Sequence, residues 1–166
     1  MAKKKTSRKP CYWLFKTEPT SYSIDDLAKE SKQITFWDGV RNYQARTMLR
    51  DDVQVGDGVL FYHSNAKPPA IVGTAKVVKA GYADHTQFDP AAKHFDEKAD
   101  PDDPTWFMVD IQFVQKFPAP IDRDQLAADK TAKNMKVLAK GSRLSILPVT
   151  EAEWKAVHKL AGVGEA

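Results

Sequence analysis

A single cysteine, Cys11, among 166 residues excludes an internal disulfide framework. No apolar run approaches the roughly 18 residues that a membrane-spanning helix needs, so no membrane partner is expected. The start "MAKKKTSRKP" is basic but has no apolar stretch behind it, which a secretory signal requires. These absences make an intracellular protein the expectation: cytoplasmic, or nuclear if the source is eukaryotic. Enzyme signatures are missing as well. There is no Walker A loop, and Gly56-Asp57-Gly58 lacks the third glycine of a dinucleotide loop and precedes a strand pattern instead of a helix. No H-E-x-x-H, paired C-x-x-C or G-x-S-x-G is present. His85, His94 and the aspartates around them match no metal-site spacing, so no metal and no cofactor are expected. Catalysis has no motif to rest on.

The charge layout is uneven. Net charge is only +3, yet residues 1–10 carry a net +5 and residues 84–104 a net −5. Exposed Lys and Arg in the leader give it a salt-sensitive affinity for phosphate, and the same tail serves solubility equally well. The acidic stretch reads as a long excursion or mobile lid. With 42% hydrophobic residues the chain has material for one core. The expected organisation is a disordered basic leader over 1–10, one domain over 11–160 and a flexible tail over 161–166.

Strand patterns occur at "CYWLFK", "QITFW", "DDVQVGDGVLFYHS" (entered through the Gly56-Asp57-Gly58 turn), "AIVGTAKVVKAGY", "TWFMVDIQFVQKF" and "RLSILPV". Gly73 marks a bulge in the fourth, and Pro118 and Pro120 are expected to end the fifth. Ser23 with Asp26 and Thr150 with Glu153 form capping boxes that start helices. Short helical segments are also expected after Asn42, after Asp122 and around Met135 to Ala139. About six strands without regular crossover helices argue against a doubly wound fold. The expected class is α+β: a mixed, strongly bent sheet forming a partial β-barrel with short helices around it.

Polar and aromatic residues concentrate where strand patterns end. "WLFKTEP" places Lys16, Thr17 and Glu18 before a proline turn, and "FYHSN" places Tyr62, His63, Ser64 and Asn65 similarly. "GSRLSILPV" adds Arg143 and Ser145, and "FWDGVRNYQAR" crowds Trp37, Arg41 and Asn42 around Gly39. Strand ends converging on one rim commonly form a pocket. Flat walls with directional donors and acceptors suit a planar heterocycle, which stacks on an aromatic side chain with about 1–3 kcal/mol per base. Each position also has a plain structural role open to it. Trp13, Phe15 and Trp106 sit inside apolar strands and read as core. Asp38 and Arg41 can pair across the Gly39 turn, Asn42 can cap the helix that follows, and His63 can be a half-buried histidine bonded to backbone.

Taken together, the four stretches resemble the EVE domain family. Its pattern runs W-L-x-K-[ST]-E-P, W-D-G-V-R-N-Y-Q-A-R, G-D-x-x-x-F-Y-H-S-N and R-L-S-x-x-P-V, found here at Trp13 to Pro19, Trp37 to Arg46, Gly56 to Asn65 and Arg143 to Val149. The resemblance implies a PUA-like fold, related to the YTH, ASCH and SRA domains. It implies a non-catalytic reader holding a modified nucleobase, foremost a modified cytosine such as 5-methylcytosine, flipped out of DNA; RNA is the other possible carrier. The implied pocket comprises Trp13, Lys16, Thr17, Glu18, Trp37, Val40, Arg41, Asn42, Tyr62, His63, Ser64, Arg143 and Ser145. Trp37 and Tyr62 would supply flat faces and Glu18 would accept from an exocyclic amine. Arg41, Lys16 and the leader would contact phosphate. Leu147 stands where the family often has Gln, a departure expected to bear on base preference. The alternative is a module for a small ligand or nucleoside, acting beside a nuclease or RNA-modification partner; a third is a protein-interaction module working through residues 84–104.

Overall fold

The computed structural model describes residues 9–141 and 143–165. The leader therefore lies outside the described residues up to position 8, as do Ser142 and Ala166. Six strands form one mixed sheet: β1 (Tyr12–Thr17), β2 (Ile34–Phe36), β3 (Gly58–His63), β4 (Ala70–Ala83), β5 (Phe107–Asp122) and β6 (Ile146–Val149), in the order β2-β5-β4-β3-β1-β6. β1 and β3 are parallel and every other pairing is antiparallel. β2 and β6 remain the two edges, so the sheet is bent but not closed into a barrel.

The bend has local causes. The register between β4 and β5 shifts four times, and that between β3 and β4 once, each shift adding twist and curvature. Gly73 sits at the first of these irregularities; a Cβ there would fall onto the Gln115 carbonyl oxygen and Ile24 Cδ1, so only glycine permits the approach. Pro118 and Pro120 do not end β5, contrary to expectation. They fall in the unpaired gap between the Gly73–Lys116 and Ile71–Ile121 pairs. β2 covers the other edge of β5 only at Asp110 to Gln112, so neither missing N–H is needed by a neighbour.

β1 lies between β3 and β6, and Trp13, Leu14 and Phe15 are all buried. That explains its unbroken apolar run: a strand covered on both faces needs no polar side. Period-two alternation then divides the core. Trp13, Phe15, Val59 and Phe61 face one cluster with Ile24, Leu27, Trp37 and Leu49, whereas Leu14, Leu60 and Tyr62 face another with Leu126, Trp154 and Val157. The first cluster is covered by α1 (Ile24–Lys29), α2 (Tyr43–Thr47) and a π-helical turn at Met48–Asp52; the second by α3 (Arg123–Ala128) and α4 (Glu151–Ala161). Such short helices are marginal alone. Capping boxes at Ser23/Asp26, Asp122/Gln125 and Thr150/Glu153 start three of them, and the Asn42 side chain accepts from Ala45 N to start α2. After α4, Gly162 closes the helix with φ 70°, and Gln115 donates to the Gly164 carbonyl, which ties the tail to β5. Among the described residues no helix is long and apolar enough to cross a membrane.

Candidate base-binding cleft

β1 and β2 finish, and β6 begins, around one cleft of about 980 Å³. Lys16, Thr17 and Glu18 come from the end of β1, Arg143 and Ser145 from the approach to β6, and Trp37 to Asn42 from the turn after β2. Tyr22 and Glu30 close one side, and Lys93 and His94 reach in from the acidic excursion. The floor is apolar and rigid. Trp37 is 8% exposed, its ring held against Phe15 (5.4 Å between centroids), Phe61 (5.5 Å) and Tyr22 (6.3 Å). Val40 beside it is also buried. The Tyr22 hydroxyl donates to Glu30 Oε1, and burial pushes its pKa up to about 12, so it stays a donor at any physiological pH.

The rim carries charges without counter-charges. Among the described residues the side chains of Lys16, Lys93, Arg143 and Glu18 make no ion pair. Burial, helped by the nearby Arg123 cation, lowers the pKa of Lys16. Arg41 differs: its five N–H groups are all engaged. Nε donates to His94 O, Nη1 to Val40 O and Asp84 Oδ2, and Nη2 to Thr86 Oγ1 and His94 O. The guanidinium also lies over the Trp106 ring at 5.3 Å. Asp84 is fully buried. Burial pushes its pKa up, but bonds from the Thr86 hydroxyl, the Gly39 amide, Arg41 and the Thr86 amide outweigh it and hold the carboxyl below the usual range.

These contacts fasten the acidic excursion to the cleft. Gly39 adopts φ 79°, and a Cβ there would stand 2.6 Å from the His94 ring, so glycine permits both the turn and the contact. Gln87, fully buried, accepts from Thr105 N and Trp106 N and donates to the Asp84 and Trp106 carbonyls. Trp106 Nε1 donates to Asp96 Oδ2 at 2.8 Å. The stretch expected to be a long acidic excursion or a mobile lid is a packed strap supplying one wall. Among the described residues no three His, Cys, Asp or Glu side chains gather as a metal site would.

Comparison with known proteins bears on this arrangement. The EVE domain family model matches residues 11–160. Thymocyte nuclear protein 1 of Homo sapiens is 43% identical over 166 residues, covering 90% of this chain and 73% of that protein, and the Gallus gallus protein is 42% identical over 167 residues, covering 90% and 68%. The chain belongs to the EVE domain family. Among solved structures, a hypothetical protein from Leishmania major superposes with a TM-score of 0.86 at 40% identity, covering 93% of this chain and 96% of that one. Human THYN1 in complex with 5-methylcytosine-containing DNA superposes with a TM-score of 0.84 at 41% identity, covering 93% and 99%.

In this EVE domain the cleft gathers nine of the thirteen residues singled out from sequence: Lys16, Thr17, Glu18, Trp37, Val40, Arg41, Asn42, Arg143 and Ser145. The other four lie elsewhere. Trp13 is buried in the core and donates from Nε1 to Asp57 Oδ2 at 2.9 Å, as its apolar strand predicts. Tyr62 points to the opposite face of the sheet from Phe61 and lies 3.5 Å from Arg123 Nη1. His63 Nε2 accepts from Ile24 N at the start of α1, Ser64 N donates to Thr17 O, and neither lines the cleft. Two roles also change. Arg41 pairs with Asp84, not Asp38, and has no donor left for a phosphate. Trp37 presents a floor with little open face, and no flat wall comes from Tyr62. Leu147, where the family pattern often has Gln, is buried in the second core and does not line the cleft. Tyr22, Phe36, Lys93 and His94 were not anticipated. The strap residues stand about fifty positions from the motif they touch, and no local pattern announces that.

Proposed function

We propose that this EVE domain is a non-catalytic reader that holds a modified nucleobase, foremost a methylated cytosine in DNA, in the cleft floored by Trp37 and Val40. The observation that carries this reading is the likeness, at a TM-score of 0.84 and 41% identity, to human THYN1, whose structure is a complex with 5-methylcytosine-containing DNA. The cleft supports it chemically. An apolar floor accepts the ring and its methyl group, the unpaired Glu18 carboxylate accepts from the exocyclic amine, and the free amide N–H groups of Asn42 serve the opposite edge. Lys16, Lys93 and Arg143 carry the cations that would meet phosphate; Arg41 holds the wall in place. Its place in the cell would be with DNA, in the nucleus where there is one.

Burial of one methyl group is worth about 0.8 kcal/mol, or about fourfold in affinity. A close-fitting slot reaches about tenfold or more. Fluorescence anisotropy with single-stranded probes identical except for cytosine or 5-methylcytosine at one position tests this. A preference of about four- to tenfold for the methylated probe is expected, and Glu18→Ala should weaken binding of both probes. Equal affinity for both probes, or undiminished binding by Glu18→Ala, would refute it.

A further inference from the structure

Phe36 is unexplained by the fold. It is 46% exposed on β2, the short edge strand, while the next residue, Trp37, is buried as the cleft floor. Both residues line the cleft, Trp37 as its buried floor and Phe36 as an exposed lip on the edge strand. Among the described residues nothing in the sheet lies beyond β2, and Phe36 pairs with Asp110 of β5 on its inner side. Its ring is nonetheless buttressed: it meets the His85 ring edge-on at 5.0 Å, and His85 opens the strap that Asp84, Arg41 and Gln87 fasten down. A large apolar side chain exposed beside a candidate base pocket is placed to meet what enters that pocket.

We propose that Phe36 is a positioning residue that enters the base stack of duplex DNA and fills the gap left when the modified base turns into the cleft. This rests on the reading of the cleft given above. Extruding a base leaves its neighbours unstacked, and apolar side chains such as Phe and Leu are suited to wedge between base steps. The placement fits. The wedge stands on the same lip as the pocket mouth, so one turn of the nucleotide brings the base past Phe36 to Trp37. The unpaired cations Lys16, Lys93 and Arg143 lie around that mouth, where the flanking phosphates must pass. The occupant is therefore a duplex, since a single strand offers no gap to fill. Phe36 touches the neighbouring base pairs and not the base being read.

The test compares the parent, Phe36→Ala and Phe36→Leu on three probes carrying 5-methylcytosine at one site: a paired duplex, a duplex mismatched at that site, and a single strand. Phe36→Ala is expected to weaken paired-duplex binding about tenfold, to weaken the mismatched duplex less because its base is already loosened, and to weaken the single strand least. Phe36→Leu is expected to restore most duplex binding. A fluorescent 2-aminopurine next to the target should brighten on binding by the parent and, in the Phe36→Ala complex, report an unfilled stack. Equal loss on all three probes would make Phe36 a wall of the base pocket and overturn the proposal, as would no loss on any. Equal binding of methylated and unmethylated single strands by the parent would sink the cleft reading and this proposal with it. A change confined to the duplex-to-single-strand ratio tests the wedge alone. Thermal melting of each variant separates these outcomes from a folding defect, which a half-exposed side chain does not invite.

Discussion

Removing the Arg41 guanidinium should release the strap and destabilise the whole domain by a calculable amount. Arg41 is 21% exposed and its partner Asp84 not at all, so this is an ion pair screened little by water. Breaking such a pair by deleting one member costs about 3–5 kcal/mol, because the other charge is left buried and uncompensated. Asp84 keeps three donors, Gly39 N at 2.8 Å, Thr86 N at 2.8 Å and Thr86 Oγ1 at 2.6 Å, which favours the lower end. Arg41→Ala is thus expected to cost about 3 kcal/mol, or about 6–12 °C in Tm for a chain of this length. Two bonds to the His94 carbonyl are lost as well, so amide hydrogen exchange should accelerate first over residues 84–96. Urea unfolding followed by circular dichroism measures the total, and a cycle with Asp84→Asn measures the pair. The double variant should be less destabilised than the sum of the singles, by about 1–3 kcal/mol. A loss under about 1 kcal/mol for Arg41→Ala, or additivity within about 0.5 kcal/mol, would show that solvent already screens the guanidinium and that the strap is not fastened through it.

Two further outcomes follow from groups that do not line the cleft. Burial, partly countered by Asp25, lowers the pKa of His63, whose Nε2 must stay unprotonated to accept from Ile24 N at 3.1 Å. The unfolded chain therefore binds the proton more readily; the stabilisation is full above about pH 6.5 and is lost as pH falls through the depressed folded value. His63→Gln keeps an acceptor that does not titrate, so the difference in Tm between parent and variant should shrink from pH 8 to pH 5; a pH-independent difference would refute this role. Trp13→Phe removes the indole donor to the buried Asp57 and should cost about 1–3 kcal/mol in urea unfolding, with oligonucleotide affinity unchanged. Weakened binding by a variant of unaltered fold would instead place Trp13 in the base site.

Local physical chemistry made much of the molecule readable in advance. Ser23, Asn42, Asp122 and Thr150 start helices because each can accept a hydrogen bond from an N–H that the first turn leaves unpaired, a property of the residue and its near neighbours. The strand cores were legible in the same way, since burial on one face or two writes its own apolar rhythm. Lys16, Glu18, Trp37, Arg143 and Ser145 could be grouped because polar residues at strand ends have few places to go except a rim. Tertiary structure alone decided the rest. Whether Pro118 ends a strand depends on whether the ladder needs an N–H at that position, and it falls in an unpaired gap. Whether Arg41 is a free cation or a strut depends on a carboxylate more than forty positions away, brought to 2.9 Å by the folding of the strap. Trp13, Tyr62 and His63 belong to the same kinds of motif as the cleft residues, yet alternation and register turn the first two into the core and the third to the start of α1. A side chain's chemistry is a property of the chain, but what that chemistry meets is set by contacts between segments distant in sequence.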